Sequence, residues 1–480
     1  MISFLDRLEE LASASPDAPA VTCDGESVTR SELLQLGGDL AVYLSEHGTQ
    51  QGDMVTVAVP NSIDFFIAYV AAWRLGATPQ PISARLPRRE QEAIIELANS
   101  SAVIGVEDGK YPGRTCLPTG FRAPRRDSSH LPHVISQAWK APTSGGSTGR
   151  PKLIVSGDPA ALDPHAPVPL LMDPGGCLVM PGPLYHNGPA VWSCQALLHG
   201  LHVVLLPRFD AEGTLSAIQQ HKGSVLYMVP TMMKRILRLP DDVRMAYDLS
   251  SLRVVWHLAE PCPEWLKQAW IDWLGPERIF ELYAGTEAQT ATTISGVEWL
   301  AHRGSVGKVI PGTVKITDPD GRELRVGEMG EVWMRSLRER PTYRYVGATA
   351  RTLDGGWESL GDMGRLDEDG YLYLGDRASD MILSGGANIY PAEIESAIQE
   401  HPLVKSCAVI GLPDDDKGNV VHAIVEADPQ QISENELQQF LGERLVTYKV
   451  PRTIEFVSEP LRDDAGKVRR SALREERMPK

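Results

Sequence analysis

The sequence is poor in cysteine and has no long apolar run. Its 480 residues include 6 cysteines, at positions 23, 116, 177, 194, 262 and 407, and none of them forms a CxxC pair. This scatter argues against a thiolate metal cluster and predicts reduced, mostly buried thiols. The longest apolar run, residues 65–73, is far shorter than the roughly 20 residues that cross a membrane. No apolar stretch follows a basic one near the start, so we expect no signal peptide and a cytoplasmic protein.

Positive charge is also scarce. The 47 Lys and Arg residues against 63 Asp and Glu residues give a net charge of −16. A nucleic-acid-binding protein needs a basic face, and this balance argues against one. An anionic ligand is still compatible, because an acidic surface can contain one basic cleft. The length, with 42% hydrophobic and 23% charged residues, predicts an ordinary globular protein of two or three domains.

The first hundred residues alternate between helix and strand signals. A capping box at residues 29–32 opens a helix that His47 and Gly48 end. Strand signals at residues 54–59 and 102–106 enclose helical patterns at 62–75 and 90–98. This alternation predicts a layered α/β domain with parallel strands. Residues 109–133 are rich in Pro, Gly, Arg and Ser, and we interpret them as a surface connector.

The last hundred residues predict a separate, small α/β unit. Pro391 suits the first turn of a helix that runs to about residue 400. Strands are predicted at 406–410 and 420–426, and a capping box at 433–436 opens a helix through residue 445. We place the boundary between residues 376 and 380, which gives one domain at 1–377 and another at 378–480.

Residues 143–152, TSGGSTGRPK, suit the binding of a polyphosphate. Glycines let successive backbone N–H groups approach an anion, the hydroxyls add donors, and a lysine supplies charge. A flexible linker is the bland alternative, and Gly145 to Gly149 also match the GxSxG nucleophile elbow of hydrolases, which needs a following helix. The spacing of a Walker A loop is absent. The predicted nucleotide-binding residues here are Thr143, Ser144, Gly145, Gly146, Ser147, Thr148, Gly149 and Lys152.

Six ordered segments resemble the motifs of the acyl-adenylating, AMP-forming superfamily of acyl-CoA synthetases, peptide-synthetase adenylation domains and luciferases. Their wording is most similar to that of bacterial CoA ligases of the bile-acid and fatty-acid type. The resemblance implies an α/β fold with a large N-terminal domain of layered subdomains and a small, mobile C-terminal domain. Besides residues 143–152, the segments are 181–189, 283–287, 357–362 with 376–377, 384–393, and the pair 448–452 and 466–470.

The resemblance implies a role for each residue that would act in the reaction. Lys467 matches the family lysine that bridges the substrate carboxylate and the phosphate; the alternative is a solvated lysine in a basic tail. Glu287 matches the acidic residue that binds Mg²⁺, a cation that prefers oxygen ligands. Thr286 and Thr148 would supply hydroxyls to the phosphates or the metal. Lys467, Glu287, Thr286 and His186 are therefore the predicted catalytic residues, with Glu287 and Thr148 at the metal.

The same resemblance assigns the nucleoside and the acyl channel. Tyr283 is expected to pack against adenine, and Asp362 and Arg377 are expected to bind the ribose, with a structural ion pair as the alternative. His186 matches the gate of the acyl channel, although a lone histidine is more often structural. Trp192 suits either the acyl pocket or the core.

The implied activity is the ATP- and Mg²⁺-dependent conversion of a hydrophobic or aromatic carboxylic acid to an acyl-AMP, followed by transfer to coenzyme A. An amine or the thiol of a carrier protein, acting in trans, remains an alternative acceptor. A nucleotide sensor would be expected to lack Lys467 or Glu287. We expect a monomer or homodimer whose small domain rotates about Ser379 and presents the turn at Gly385 and Gly386.

Three positions leave the choice of substrate and acceptor open. Ala284 replaces the usual glycine and would narrow the pocket. Glu260 stands where relatives mostly have a small neutral residue, and would favour a partner with N–H groups if it faces the pocket rather than solvent. Lys417 is only a weak candidate for binding the 3′-phosphate of coenzyme A.

Overall fold

Parallel strands form the centre of a large sheet, and antiparallel strands extend both of its edges. A computed structural model describes residues 1–145, 151–377, 380–384, 387–414, 417–462 and 468–478, and within these the sheet has 15 strands. The parallel strands, in spatial order, are Ile279–Ala284, Val254–Leu258, Val225–Met228, Cys177–Met180, His202–Leu205 and Pro19–Cys23. The antiparallel strands are Glu26–Thr29 at one edge and, beyond the other, Ala291–Ser295, Ser305–Ile310, Leu372–Arg377, Asp362–Leu366, Gly330–Arg335 with Thr313–Thr317 beside it, Trp357–Ser359 and Arg351–Leu353. The parallel centre confirms the predicted α/β class.

A second, fully parallel sheet contains a strand that the sequence did not indicate. Its strands, in spatial order, are Thr78–Pro81, Met54–Val57, Ala102–Ile104 and Thr115–Leu117. The last strand lies inside residues 109–133, where a surface connector was predicted, and that prediction is wrong at this point. Cys116 and Leu117 are each 3% exposed, because pairing with Ala102–Ile104 carries them into the core.

A third, antiparallel sheet holds the two ends of the glycine- and hydroxyl-rich segment. Pro151–Ser156 lies between Thr143–Gly145 and Tyr343–Val346. The strand predicted after Gly149 is therefore confirmed. A short antiparallel pair joins Ile2–Ser3, near the start of the chain, to Ala161–Leu162, which follows Pro151–Ser156 in sequence.

One helix explains the longest apolar run. Ile63–Arg74 packs against strands of the large sheet and of the fully parallel sheet, and residues 63–73 are all buried. A helix that is apolar on every side is expected in such a buried position. No helix among the described residues is long and apolar enough to cross a membrane. The other helices of the N-terminal part are Phe4–Ala14, Arg30–Glu46, Arg88–Ala98, Asn187–Leu198, Ala211–His221, Pro230–Leu237, Asp241–Arg244, Glu264–Leu274 and Gly296–Ala301, with 3₁₀ turns at Pro169–Leu171 and Pro276–Arg278.

Both predicted capping boxes form. The Thr29 hydroxyl accepts a hydrogen bond from the Glu32 backbone N–H, and the Thr29 backbone N–H donates to the Glu32 carboxylate. Ser433 and Glu436 make the same pair of hydrogen bonds. The second helix ends at Gly442, three residues earlier than predicted, at the residue least able to continue a helix apart from proline.

The C-terminal residues have a hydrophobic core of their own, built around Ile394, Val409 and Leu437. The domain boundary at residue 377 stays a prediction, since residues 378 and 379 lie outside the described residues. The elements are the strands Ile382–Ser384, Ala387–Ile389, Ser406–Asp414, Gly418–Glu426 and Thr453–Val457, the helices Pro391–Gln399, Glu434–Gly442 and Arg470–Glu476, and a 3₁₀ turn at Thr447–Lys449.

All six cysteines are free, and all except Cys262 are buried. Burial raises the pKa of Cys177 and Cys194 to about 12, so both thiols stay protonated at neutral pH. In the described ranges no three His, Cys, Asp or Glu side chains are grouped to hold a metal ion. The prediction that the thiols are mostly buried is confirmed.

A buried lysine lies where the two parts of the chain meet. Arg238, just after the helix Pro230–Leu237, donates to the carbonyl of Val404 in the C-terminal part. On the same helix, Lys234 is 4% exposed, and its Nζ has no hydrogen-bond partner among the described residues. Burial, reinforced by Arg238, lowers the pKa of Lys234 to about 7. The contact therefore favours the neutral amine.

Lys234→Met is expected to stabilise this contact by removing a buried ionisable group. In the wild type the docked state binds fewer protons than the separated state between pH 7 and the usual lysine pKa, so its stability rises with pH across that window. The variant should raise the thermal unfolding midpoint by roughly 2 °C near neutral pH and by less at alkaline pH. The exposed Lys222→Met is the matched control. Equal midpoints for Lys234→Met and wild type at every pH would contradict the expectation.

Candidate active site

The segment predicted to bind phosphate begins and ends in paired strands. The register sets Ser144 opposite Lys152 and Gly145 opposite Pro151. Gln80 Nε2 donates to Thr143 Oγ1 at 2.7 Å and fixes that hydroxyl. Gly146, Ser147, Thr148 and Gly149 lie outside the described residues, and only the backbone of Ser144 and Gly145 is described. Since a strand follows at Pro151–Ser156, the chain does not have the strand-to-helix turn of a nucleophile elbow.

Lys152 links this segment to a motif that is distant in sequence. Its Nζ lies 3.5 Å from Glu287 Oε1 and 4.0 Å from the centroid of the Tyr345 ring. Tyr345 donates its hydroxyl to the same Glu287 oxygen at 2.5 Å. Glu287 is 6% exposed, and its backbone carbonyl accepts from Thr342 Oγ1 at 2.7 Å. A cation and a carboxylate that were predicted to serve one nucleotide are therefore in contact.

The predicted nucleoside residues also lie together. Tyr283 donates its hydroxyl to Asp362 Oδ2 at 2.7 Å. The register pairs Asp362 with Arg377 on neighbouring strands, although the Arg377 side chain lies outside the described part of the structure. We predicted that the Tyr283 ring packs against adenine; its hydroxyl in addition orients the predicted ribose carboxylate.

The residues around Gly285 suit a hard cation. A Cβ added at Gly285 would lie 2.5 Å from Leu360 Cδ1 and 3.0 Å from Glu287 Oε2, so these side-chain ends crowd around the glycine. Gln289 Oε1 lies 3.5 Å from the same position, is buried, and has no hydrogen-bond partner among the described residues. Its amide nitrogen is committed to Glu358 Oε2 at 3.0 Å, which fixes the oxygen. A carboxylate and an orphaned amide oxygen are the donor types that Mg²⁺ binds.

His186 begins the helix that carries the predicted gate. It is the N-cap of Asn187–Leu198, and its ring lies 4.2 Å from that of Tyr185. The second helical residue, Gly188, lies against the Tyr227 hydroxyl, where a side chain would collide. Trp192 is 4% exposed and packs edge-on against Tyr227, with ring centroids 5.5 Å apart. Trp192 belongs to the hydrophobic core, as one of its two interpretations predicted.

The segment that contains Lys467 is anchored on both sides by one carboxylate. Lys467 itself lies outside the described residues. Glu395, 4% exposed, accepts from Arg462 Nη2 at 3.3 Å and from Arg470 Nη2 at 2.9 Å. Arg469, two residues after Lys467, lies 3.6 Å from Glu90, on a helix that packs against Pro151–Ser156. The C-terminal flank of this segment thus lies close to the helix that packs against the strand Pro151–Ser156.

Comparison with known proteins decides the family. The AMP-binding enzyme family matches residues 8–338, and the AMP-binding enzyme C-terminal domain matches residues 393–467. The chain belongs to the AMP-binding enzyme family. It is 32% identical to a feruloyl-CoA synthase from Amycolatopsis sp, over 96% of this chain and 96% of that relative.

Two solved structures of AMP-binding enzymes cover nearly the whole chain. The o-succinylbenzoate coenzyme A synthetase MenE from Bacillus subtilis, in complex with ATP and a magnesium ion, has a TM-score of 0.82 and 25% identity over 97% of this chain and 98% of its own. The amide bond synthetase McbA from Marinactinospora thermotolerans has a TM-score of 0.81 and 26% identity over 99% of this chain and 100% of its own. The predicted superfamily and its two-part α/β fold are confirmed.

The structure shows where two departures from the usual motifs of the AMP-binding enzymes lie. Glu260 Oε2 accepts from Thr231 Oγ1 at 2.8 Å and from the Thr231 backbone at 3.2 Å, so Glu260 caps the start of the helix Pro230–Leu237 instead of pointing into solvent. Ala284 is the last residue of its strand and is exposed.

Several site residues of this AMP-binding enzyme were missed by sequence reasoning. Each of them contacts a segment that is distant in sequence, and none was assigned a role from the sequence. Tyr345, for example, lies on the strand that pairs with Pro151–Ser156, and it contacts Glu287, 58 residues away in sequence. The missed residues are Lys140, Gln289, Tyr345, Glu358 and Glu395.

Proposed function

We propose that this chain is an AMP-forming ligase that activates a hydrophobic or aromatic carboxylic acid with ATP and transfers the acyl group to coenzyme A. The contact of Lys152 with Glu287, beside the Tyr283–Asp362 pair, is the observation that carries the proposal. It brings together a predicted phosphate-binding cation and a predicted metal-binding carboxylate, and the Tyr283–Asp362 hydrogen bond joins the two predicted nucleoside-binding residues.

The first half-reaction needs positive charge around the phosphates. A carboxylate oxygen of the acid bonds to the α-phosphorus of ATP, and the bond from that phosphorus to the leaving pyrophosphate breaks. Negative charge is redistributed over the phosphate oxygens, so positioned cations lower the barrier. In this chain Lys152 and Lys467 would supply that charge, and residues 143–149 would supply backbone N–H groups and hydroxyls.

The metal would be held by Glu287, with Thr148 or Thr286 and the Gln289 oxygen nearby. When bound, Mg²⁺ neutralises charge on the phosphates of the nucleotide. Lys152 and Tyr345 keep the Glu287 carboxylate in place, at 3.5 Å and 2.5 Å from its Oε1. Asp362 accepts hydrogen bonds and would take them from the ribose hydroxyls, while Tyr283 holds its orientation.

The second half-reaction requires Lys467 to leave and the acceptor to enter. The thiol sulfur of coenzyme A bonds to the acyl carbon, AMP departs, and the thiol proton passes to solvent. We infer that the C-terminal part rotates between the two steps about residues near Ser379, and that Gly385 and Gly386 then face the thiol. Its separate hydrophobic core, and the anchoring of the segment around Lys467 by Glu395, support movement as one body.

The acceptor is proposed to be coenzyme A, with an amine as the alternative. A feruloyl-CoA synthase and a coenzyme A synthetase are among the relatives, whereas the amide bond synthetase, matched over the same length, supports the alternative. A carrier-protein thiol would serve as an acceptor by the same chemistry. We further propose a cytoplasmic location and a monomeric or homodimeric state.

A panel of carboxylic acids with Mg²⁺ and ATP tests the function directly. We expect acid-dependent pyrophosphate release in parallel assays with coenzyme A, with simple amines and with no acceptor. Thioester should form in the first assay. Amide formation that is insensitive to coenzyme A would replace the primary acceptor with the alternative. Release that never depends on an acid, together with ester cleavage in the absence of ATP, would contradict adenylation.

A further inference from the structure

A lysine that no motif contains lies buried between two segments of the site. Lys140 is 7% exposed, and its Nζ donates to Asn187 Oδ1. The Lys140 Nζ also lies over the Trp139 ring, 4.9 Å from its centroid, a single cation–π contact beside that hydrogen bond. Two backbone hydrogen bonds hold this part of the chain. The Lys140 carbonyl accepts from the Ser156 N–H at 3.0 Å, and the Ala141 N–H donates to the Pro79 carbonyl. Lys140 therefore lies just before the strand Thr143–Gly145, and its side chain reaches the helix Asn187–Leu198, of which His186 is the N-cap.

This is an unfavourable place for a positive charge. Burial removes the ammonium from water, and Asn187 opens a helix whose N-terminus is itself positive. An ammonium has three donors, and Lys140 makes one hydrogen bond with the described residues. An apolar side chain of similar length would fill the space without this electrostatic penalty, so packing alone does not explain the lysine.

Nearby carboxylates act on Lys140 from a distance, but both are already paired. Asp158 accepts from Arg338 and Arg340, each at 2.7 Å, and Glu287 is engaged by Lys152 and Tyr345. The Cys194 thiol, which also faces Lys140, is protonated because burial raises its pKa to about 12. Burial lowers the pKa of Lys140 to about 8, and interactions with Cys194, Glu287 and Asp158 only partly oppose the shift.

We propose that Lys140 is a positioning residue for adenylation. Its ammonium holds Asn187 and thereby keeps His186 at a fixed position relative to the strands Thr143–Gly145 and Pro151–Ser156. The His186–Asn187 pair begins the helix, and the Ala190 amide donates to the His186 carbonyl at 3.2 Å, so moving Asn187 moves His186 with it. The Lys140–Asn187 hydrogen bond joins the two segments between which the acid and the nucleotide must meet. This inference rests on the proposed function, because it presupposes an acid-dependent reaction at the site.

Lys140→Met keeps the length of the side chain and removes the charge. We expect kcat/KM for the acid, measured by ATP–pyrophosphate exchange, to fall about tenfold, because a misplaced reactant loses rate steeply. The KM for ATP should change less than about twofold, since the ATP contacts are elsewhere. Wild-type enzyme should lose activity as the pH rises through about 8, where the ammonium is neutralised. The Met variant should lack this alkaline decline.

Two further variants separate positioning from simple packing. Lys140→Arg retains the charge and does not titrate in this range, so it should restore activity and remove the decline near pH 8. Asn187→Asp puts a carboxylate against the ammonium. The decline should then move to higher pH by about one unit or more, because a close opposite charge shifts a pKa by roughly that amount. A purely structural lysine would leave the pH profile in place in both variants.

The outcomes decide the inference even if one variant folds poorly. Circular dichroism and thermal unfolding report on folding, and the well-folded Asn187→Asp then carries the test through its pH profile. A Met variant with wild-type kcat/KM and pH profile, or an Asp variant whose decline does not move, would overturn the role of Lys140. Wild-type protein without acid-dependent exchange would instead remove the proposed function.

Discussion

Lys467→Ala is expected to abolish acid-dependent ATP–pyrophosphate exchange while leaving ATP binding largely intact. The loss should be at least about a hundredfold, because removing one positioned group that stabilises developing charge has effects of that order. Lys467 is assigned by its motif, and its neighbours Arg462 and Arg470 both pair with the buried Glu395. Pyrophosphate exchange measures the first half-reaction, and nucleotide binding is measured separately by calorimetry.

The matched control removes an equal charge from the same basic tail. Arg474 is exposed, and the one hydrogen bond described for its side chain is a long one to Asn419, at 3.4 Å. Arg474→Ala should therefore exchange at the wild-type rate. If both variants exchange normally, Lys467 is a solvated lysine of the tail. If both fail equally, the net charge of the tail matters and no particular ammonium does.

Transfer from a preformed acyl-AMP gives a second readout for Lys467→Ala. The lysine is proposed to act in adenylation and to withdraw before thiol attack. Supplied with a chemically prepared acyl-AMP and coenzyme A, the variant should form thioester at a rate within a few-fold of wild type, since no charge contributed by Lys467 is used in that step. A large loss in this assay would contradict the division of labour between the two half-reactions.

Local signals in the sequence predicted the fold well. The helix starts at Thr29 and Ser433 depend on side chains within three residues of each other, and both capping boxes form as expected. The strand Thr115–Leu117 is different. It exists because it pairs with Ala102–Ile104, and a three-residue stretch within a polar region gives no local sign of a remote partner. The sequence likewise could not show that the apolar helix Ile63–Arg74 is covered by two sheets.

The candidate site was predictable where motifs supplied its residues. The motifs named Lys152, Glu287, Tyr283 and Asp362, and the structure brings them into two contacting pairs. What the motifs lack are the residues that hold these groups in place. Tyr345 and Gln289 reach Glu287 and its surroundings only after a strand pairing and a turn have formed. Such supporting contacts are properties of the folded chain, which no spacing in the sequence expresses.

Glu287→Gln is expected to raise the Mg²⁺ concentration needed for half-maximal activity and to lower kcat/KM for the nucleotide about a hundredfold, since a carboxylate at the metal is replaced by a neutral oxygen. The substitution preserves shape, and the amide can still accept from Tyr345. It leaves Lys152, 3.5 Å away, without its counter-charge. Initial rates of pyrophosphate exchange over a Mg²⁺ titration, at fixed ATP and acid, measure both effects.

Tyr345→Phe separates a metal-binding role of Glu287 from a purely structural one. It removes the 2.5 Å hydrogen bond to Glu287 and retains both the carboxylate and the aromatic ring on which Lys152 lies. If Glu287 binds the metal, Tyr345→Phe should change the Mg²⁺ requirement little, because the carboxylate remains, and lower the rate only a few-fold, which is the size of one lost hydrogen bond. If Glu287 merely anchors Tyr345 and Lys152, the two variants should be equally impaired and should share one unchanged Mg²⁺ dependence. The metal assignment therefore depends on a difference between two variants that alter the same hydrogen bond from opposite ends.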